Sequence, residues 1–194
     1  MCDCIMQLVY NYECHCIMED IFMKLELIKH PSDWLSRKLD PWDFDNPPMD
    51  PVDMKKQMLK IMKANLGIGL SANQVGINAR AFVFVNNNTT NNQLDRESLC
   101  LNPEVVEKLG EDVPMWEGCL SYPEVVVQVT RNHKIKAKWY TEHGKLKEDI
   151  FVGYDAVCFQ HEIDHLDGIT FDQHVSPMVW KEAVEKAKKK LDNA

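Results

Sequence analysis

The chain has 194 residues, with 22 Lys and Arg against 30 Asp and Glu, for a formal charge of −8. A chain of this length forms one compact domain that buries roughly 70% of its unfolded surface. Its 45% apolar and 27% charged residues exclude a disordered or fibrous chain. No apolar run approaches the roughly 20 residues a spanning helix needs, which speaks against a membrane protein. The acidic balance argues against general nucleic-acid binding. Seven cysteines are an odd count, and Cys100, Cys119 and Cys158 sit in apolar or motif-like segments. A reduced, cytoplasmic protein is the expectation.

In chain order, the first feature is a cluster of Cys2, Cys4, Cys14 and Cys16 in a segment with no Lys or Arg before Lys24. It resembles neither a secretory signal nor a transit peptide. Two C-x-C pairs around His15 are closer than the spacing of structural zinc sites, so residues 1–22 are read as an extension of unknown role and 23–194 as a single domain. The stretch to Pro48 is rich in Pro, Asp and Trp and reads as an irregular arm. Asp50-Pro51 then starts a helix over about 51–66, because Asp caps free amides and Pro suits the first helical position. Met54, Met58, Ile61 and Met62 form its apolar stripe, read as packing, and Gly67 stops it.

Residues 80–85 suit a buried strand, and 86–93 form a polar Asn/Thr-rich loop. Strand candidates follow at 99–101, 105–109, 125–129, 134–140 and 145–152, with a hairpin turn at His143-Gly144. Helical pattern returns over 154–166, closed by Gly168, and again after Ser176-Pro177. Helices with strands segregated between them predict an α+β fold carrying antiparallel sheet.

The chemistry concentrates in His161-Glu162-Ile163-Asp164-His165. On a helix, residues four apart share a face, so both imidazoles can reach one cation with Glu162 beside it. A catalytic site of this kind needs a third protein ligand. Metzincin proteases take a His six residues further on, where Phe171 stands here. Thermolysin-like proteases take a Glu some twenty residues along, where Glu185 falls in a Lys-rich helix. Cys119, in the turn-like stretch Glu117-Gly118-Cys119-Leu120-Ser121, offers a soft thiolate. The motif alone leaves open a metallopeptidase using Glu185, or a non-catalytic metalloprotein.

Three ordered segments together carry a specific resemblance: Gly67-Ile68-Gly69-Leu70-Ser71-Ala72-Asn73-Gln74, Glu117-Gly118-Cys119-Leu120-Ser121 and Gln160-His161-Glu162-Ile163-Asp164-His165. They resemble the motifs of peptide deformylases, and the similarity runs over about 23–191. Ser71 departs from that family's usual Ala, and Val125-Val126-Val127 replaces a more polar stretch with an Arg. The resemblance implies antiparallel sheets around a central metal-binding helix, with Cys119, His161 and His165 on Fe²⁺, for which Zn²⁺, Ni²⁺ or Co²⁺ can substitute. It implies removal of the N-formyl group from the initiating methionine of new polypeptides. Glu162 would move the proton, and the Gln74 side chain and Leu120 N–H would stabilise the oxyanion. Ile68 and Val157 would line the methionine pocket, although aliphatic residues at those places could equally be core. Glu117 and Arg131 match family positions that pair. Lys181, Lys186, Lys188, Lys189 and Lys190 form a solvated helix face; in bacterial deformylases a terminal helix can dock on the ribosome.

Overall fold

A computed structural model describes residues 24–86 and 96–193. The cysteine cluster and most of the polar loop expected at 86–93 lie outside the described residues. The arm before the first long helix has one 3-10 turn, Asp33–Ser36, and is otherwise irregular. Helix α1 spans Pro51–Ala64, and the Asp50 carboxylate accepts the Asp53 amide at 2.9 Å. Its buried stripe is Met54, Met58, Leu59 and Met62, so the methionines are core.

Among the described residues seven strands follow: β1 Gly69–Ser71, β2 Ala81–Val85, β3 Glu97–Lys108, β4 Asp112–Cys119, β5 Tyr122–Asn132, β6 Lys134–Tyr140 and β7 Leu146–Val152. Strands β1, β2, β3, β6 and β7, in that order, make one antiparallel sheet, and β4 with β5 makes a second. Helices α2, Tyr154–Leu166, and α3, Pro177–Leu191, complete the α+β architecture.

Two sequence expectations change. The candidates at 99–101 and 105–109 are a single strand, because the register shift between Leu101 and Glu104 carries Pro103 through a bulge where no ladder amide is needed. The stretch around Cys119, read as a turn between strands, is mostly the end of β4; the turn itself is confined to Leu120 and Ser121. Strand β4 escaped detection because it belongs to a two-stranded ribbon, and its burial pattern leaves only Glu117 fully covered.

Helix α2 lies between the sheets. Its Phe159 packs edge-on against Phe82 at 5.0 Å and stacks on Phe151 at 5.1 Å, which ties the helix to the five-stranded sheet. A second cluster, Leu35, Tyr122, Val127, Val129, Phe171 and Ala187, joins β5 to α3 and the arm. Gly168 has φ of +74°, and a Cβ there would lie 2.6 Å from the Ser36 carbonyl, so only glycine lets the arm cross the end of α2.

Candidate active site

One turn of α2 presents His161, Glu162 and His165, all buried. The end of β4 brings in Cys119, and the 3-10 turn Ala72–Val75 after β1 brings in Gln74. The Cys119 Sγ is 3.2 Å from His165 Nε2, and one donor atom from each of Cys119, His161 and His165 lies within 4.8 Å of the others. Glu185 is exposed on α3 and is not in this group. Phe171, at the metzincin ligand position, instead packs its ring against His161 with centroids 5.9 Å apart.

Gln74 is held at both ends of its amide. Its carbonyl accepts the Ser71 N–H at 2.9 Å, while its NH₂ donates to Ser121 Oγ at 3.0 Å and to Cys119 Sγ at 3.3 Å. The hydroxyl of Ser71, the departure from the usual Ala, donates to Asn73 Oδ1, so this buried oxygen is satisfied. Asn73 in turn donates to the His165 carbonyl at 2.8 Å, tying this turn to α2.

Behind the triad, His161 Nδ1 contacts Glu117 Oε2 at 2.8 Å, which leaves Nε2 to face the site. Arg131 grips Glu117 with Nε at 2.7 Å and Nη2 at 3.1 Å, and also donates to Asp164 through Nη1. Burial opposes a charge on Glu117, but hydrogen bonds from His161 and Arg131 outweigh it and lower its pKa to about 2. For His161, the opposing effect of burial is likewise outweighed by its hydrogen bonds to Cys119 and Glu117, which raise it well above the usual value. Burial and the neighbouring His161 push His165 well below it. Glu162 is the contrasting carboxylate: burial raises it to about 7, and its Oε2 has no hydrogen-bond partner.

Cys119, His161, Glu162 and Gln74 open onto a cleft of about 520 Å³ whose walls include Ile68, Leu120, Val157 and Cys158. Ile68 is 42% exposed and turned to the cleft, so it is not a core residue, whereas Val157 is buried. Three contributors passed unnoticed in the sequence. Ser121 and Asn73 hold Gln74 and α2 in place, and Gly69 leaves room for Glu162, since a Cβ there would lie 2.4 Å from Glu162 Oε1. All three lie inside the segments that carry the family resemblance, and that membership was the available signal.

The donor set fits a divalent cation. A thiol sulfur and two imidazole nitrogens converge, one imidazole is oriented by a carboxylate behind it, and an unpartnered buried carboxylate stands beside them. A sequence profile described as polypeptide deformylase matches residues 24–180.

The chain belongs to that family.

A peptide deformylase of Phenylobacterium zucineum is 35% identical over 147 residues, covering 73% of this chain and 86% of the relative. A peptide deformylase of Synechococcus elongatus, solved with actinonin, superposes with a TM-score of 0.74 at 28% identity and covers 84% of this chain and 86% of that one. A class I type b peptide deformylase of Acinetobacter baumannii, solved with Met-Ala-Ser bound, gives 0.68 at 30% identity, covering 78% and 98%. The chain is thus a peptide deformylase, a hydrolase of N-formyl-methionine peptides.

Proposed function

We propose that the deformylase reaction runs in this cleft with Cys119, His161 and His165 holding a divalent cation, Fe²⁺ in the cell, which Zn²⁺, Ni²⁺ or Co²⁺ can replace. When bound, such a cation supplies Lewis acidity, acidifying water and polarising a carbonyl. Glu162 is then the proton carrier. It accepts a proton from the attacking water and returns it to the amine as the C–N bond breaks, releasing formate and a free N-terminus. A carboxylate with a pKa raised to about 7 by burial suits both directions of that transfer. The Gln74 NH₂, aimed at Cys119 because Ser71 N–H and Ser121 Oγ hold the amide, donates to the formyl oxygen as charge develops there, and the Leu120 N–H is the second donor. Ile68 and Val157 contact the methionine side chain, and formyl-Met nascent peptides are the substrates.

The observation that carries this reading is the pairing of an unpartnered Glu162 oxygen with a convergent thiol and two imidazoles in one cleft. Its test is anaerobic purification with metal analysis and a formyl-Met-Ala-Ser hydrolysis assay. One equivalent of metal that disappears in Cys119→Ala together with turnover supports it; full turnover in that variant refutes it.

Among the described residues no helix is long and apolar enough to cross a membrane, and a cytoplasmic location accords with a substrate made by ribosomes. Lys181, Lys186, Lys188, Lys189 and Lys190 are all exposed on α3, a basic face on an acidic protein, and we read it as a ribosome contact that weakens with salt.

A further inference from the structure

We propose that His174 is a positioning residue for the cation pocket, acting through Asp164, Arg131 and Glu117 on His161. This rests on the reading that Cys119, His161 and His165 hold a divalent cation.

The contacts form an unbroken line from the surface inward. His174 Nε2 lies 2.8 Å from Asp164 Oδ2, and the same oxygen receives Arg131 Nη1. Arg131 reaches Glu117 through Nε and Nη2, and Glu117 Oε2 meets His161 Nδ1 at 2.8 Å. Side-chain exposure falls from 31% at His174 through 19% at Asp164 to 3% at Glu117. Glu117 and Arg131 are therefore locked by burial, while Asp164 is the link that water can reach.

A guanidinium is a planar fork, so its orientation is set jointly by every acceptor it meets. Asp164 fixes one prong only if its own rotamer is fixed, and the second donor on Oδ2 is His174. Without that donor the carboxylate can turn toward solvent, and Arg131 keeps Glu117 without its third anchor. Glu117 orients the His161 ring, and partners of this kind behind a metal-binding histidine are worth roughly 10- to 100-fold in metal affinity. The turn that presents His174 is itself anchored, because Phe171 in Phe171–His174 packs on His161 and Tyr122. His174 is thereby delivered to Asp164 by the same turn that backs the His161 ring.

The test uses the full chain loaded with Co²⁺, compared as parent, His174→Phe and His174→Gln. Phe keeps a ring but has no N–H, whereas the Gln amide places a donor near the position of Nε2. The signal is the visible absorption that is lost in Cys119→Ala, so any cobalt on the N-terminal cysteines drops out. Chelator-driven loss of that signal is expected to be roughly 3- to 10-fold faster in His174→Phe, below the range for a direct partner, and restored to within about twofold in His174→Gln. The absorption bands should shift in the Phe variant alone, and turnover of formyl-Met-Ala-Ser should fall with KM unchanged. Parental release in His174→Phe, or equal release in both variants, overturns the inference. A parent with no Cys119-dependent signal overturns the reading of the pocket and this inference with it; a Cys119-dependent signal indifferent to residue 174 overturns this inference alone.

Discussion

Helix α2 has two sides that are built on different physics. Toward the five-stranded sheet it presents Phe159 to Phe82, Phe84, Phe151 and Trp139, a buried aromatic cluster. Its polar side presents His161 and His165 to Glu117 and Cys119 of β4 and Glu162 to Gly69 of β1, all three buried, with one Glu162 oxygen unpartnered. The aromatic side contributes through contact area, which is non-directional and tolerates exchange at similar volume. The polar side depends on donor and acceptor geometry, where loss of one group strands another. Burial is equally complete on both, so burial does not mark function; directionality does.

That contrast can be broken or sharpened by substitution, starting with the largest effect. Glu162→Ala should retain the cation and lower turnover by about 10² to 10⁴, measured on formyl-Met-Ala-Ser with metal content in parallel. Activity at roughly a tenth of the parent would remove the proton-transfer role. Gln74→Leu should cost about 10² to 10³ in rate, as for loss of one oxyanion donor, with metal content unchanged. Near-normal turnover there would reduce Gln74 to a brace for Ser71 and Ser121.

Gly69→Ala tests geometry without removing any functional group. The added methyl would lie 2.4 Å from Glu162 Oε1 and 2.8 Å from Cys158 Sγ, so Glu162 must move. A fall in turnover on the order of 10- to 100-fold with the cation retained is expected, because small displacements of a reacting group are costly. On the apolar side, Phe159→Leu should lower unfolding stability by about 1–2 kcal/mol and leave turnover within about twofold, checked by denaturant unfolding and assay. A large turnover loss there would mean that the two sides of α2 are coupled. Smallest of all, a chain beginning at Met23 should match the parent in turnover.

Local signals made much of the framework legible. The Asp50-Pro51 start, the methionine stripe of α1, the limits of α2 and the Ser176-Pro177 start of α3 all came from caps and periodicity, and each is seen in the fold. The His143-Gly144 turn joins β6 and β7 as expected, with Gly144 at φ of +70°. Strands β1 and β4 were not legible. Three residues are too short for a period, and although burial alternates along β4, its exposed face carries Pro114, Trp116 and Gly118 and its covered face Glu117, so residue type does not alternate. In the site, the i and i+4 histidines declared themselves, whereas the grip of Ser121 on Gln74 spans 47 positions and that of Asn73 on the His165 carbonyl spans 92.

By itself, the sequence determined the helices, the pair of imidazoles with a carboxylate between them, and, through three ordered segments, the family. Those features depend on contacts within a turn or two of chain, where spacing alone dictates which side chains share a face. The residues alone left Cys119 and Glu185 open as partners of the histidines and Ile68 open as core, and family resemblance favoured Cys119 and a pocket; the tertiary structure brings Cys119 to the histidines, turns Ile68 to a cleft, and adds the link from Arg131 to Asp164. Each of these joins segments far apart in the chain, and such meetings follow from how sheets and helix pack, because hydrophobic burial drives the packing without direction and leaves register and topology to choose the neighbours.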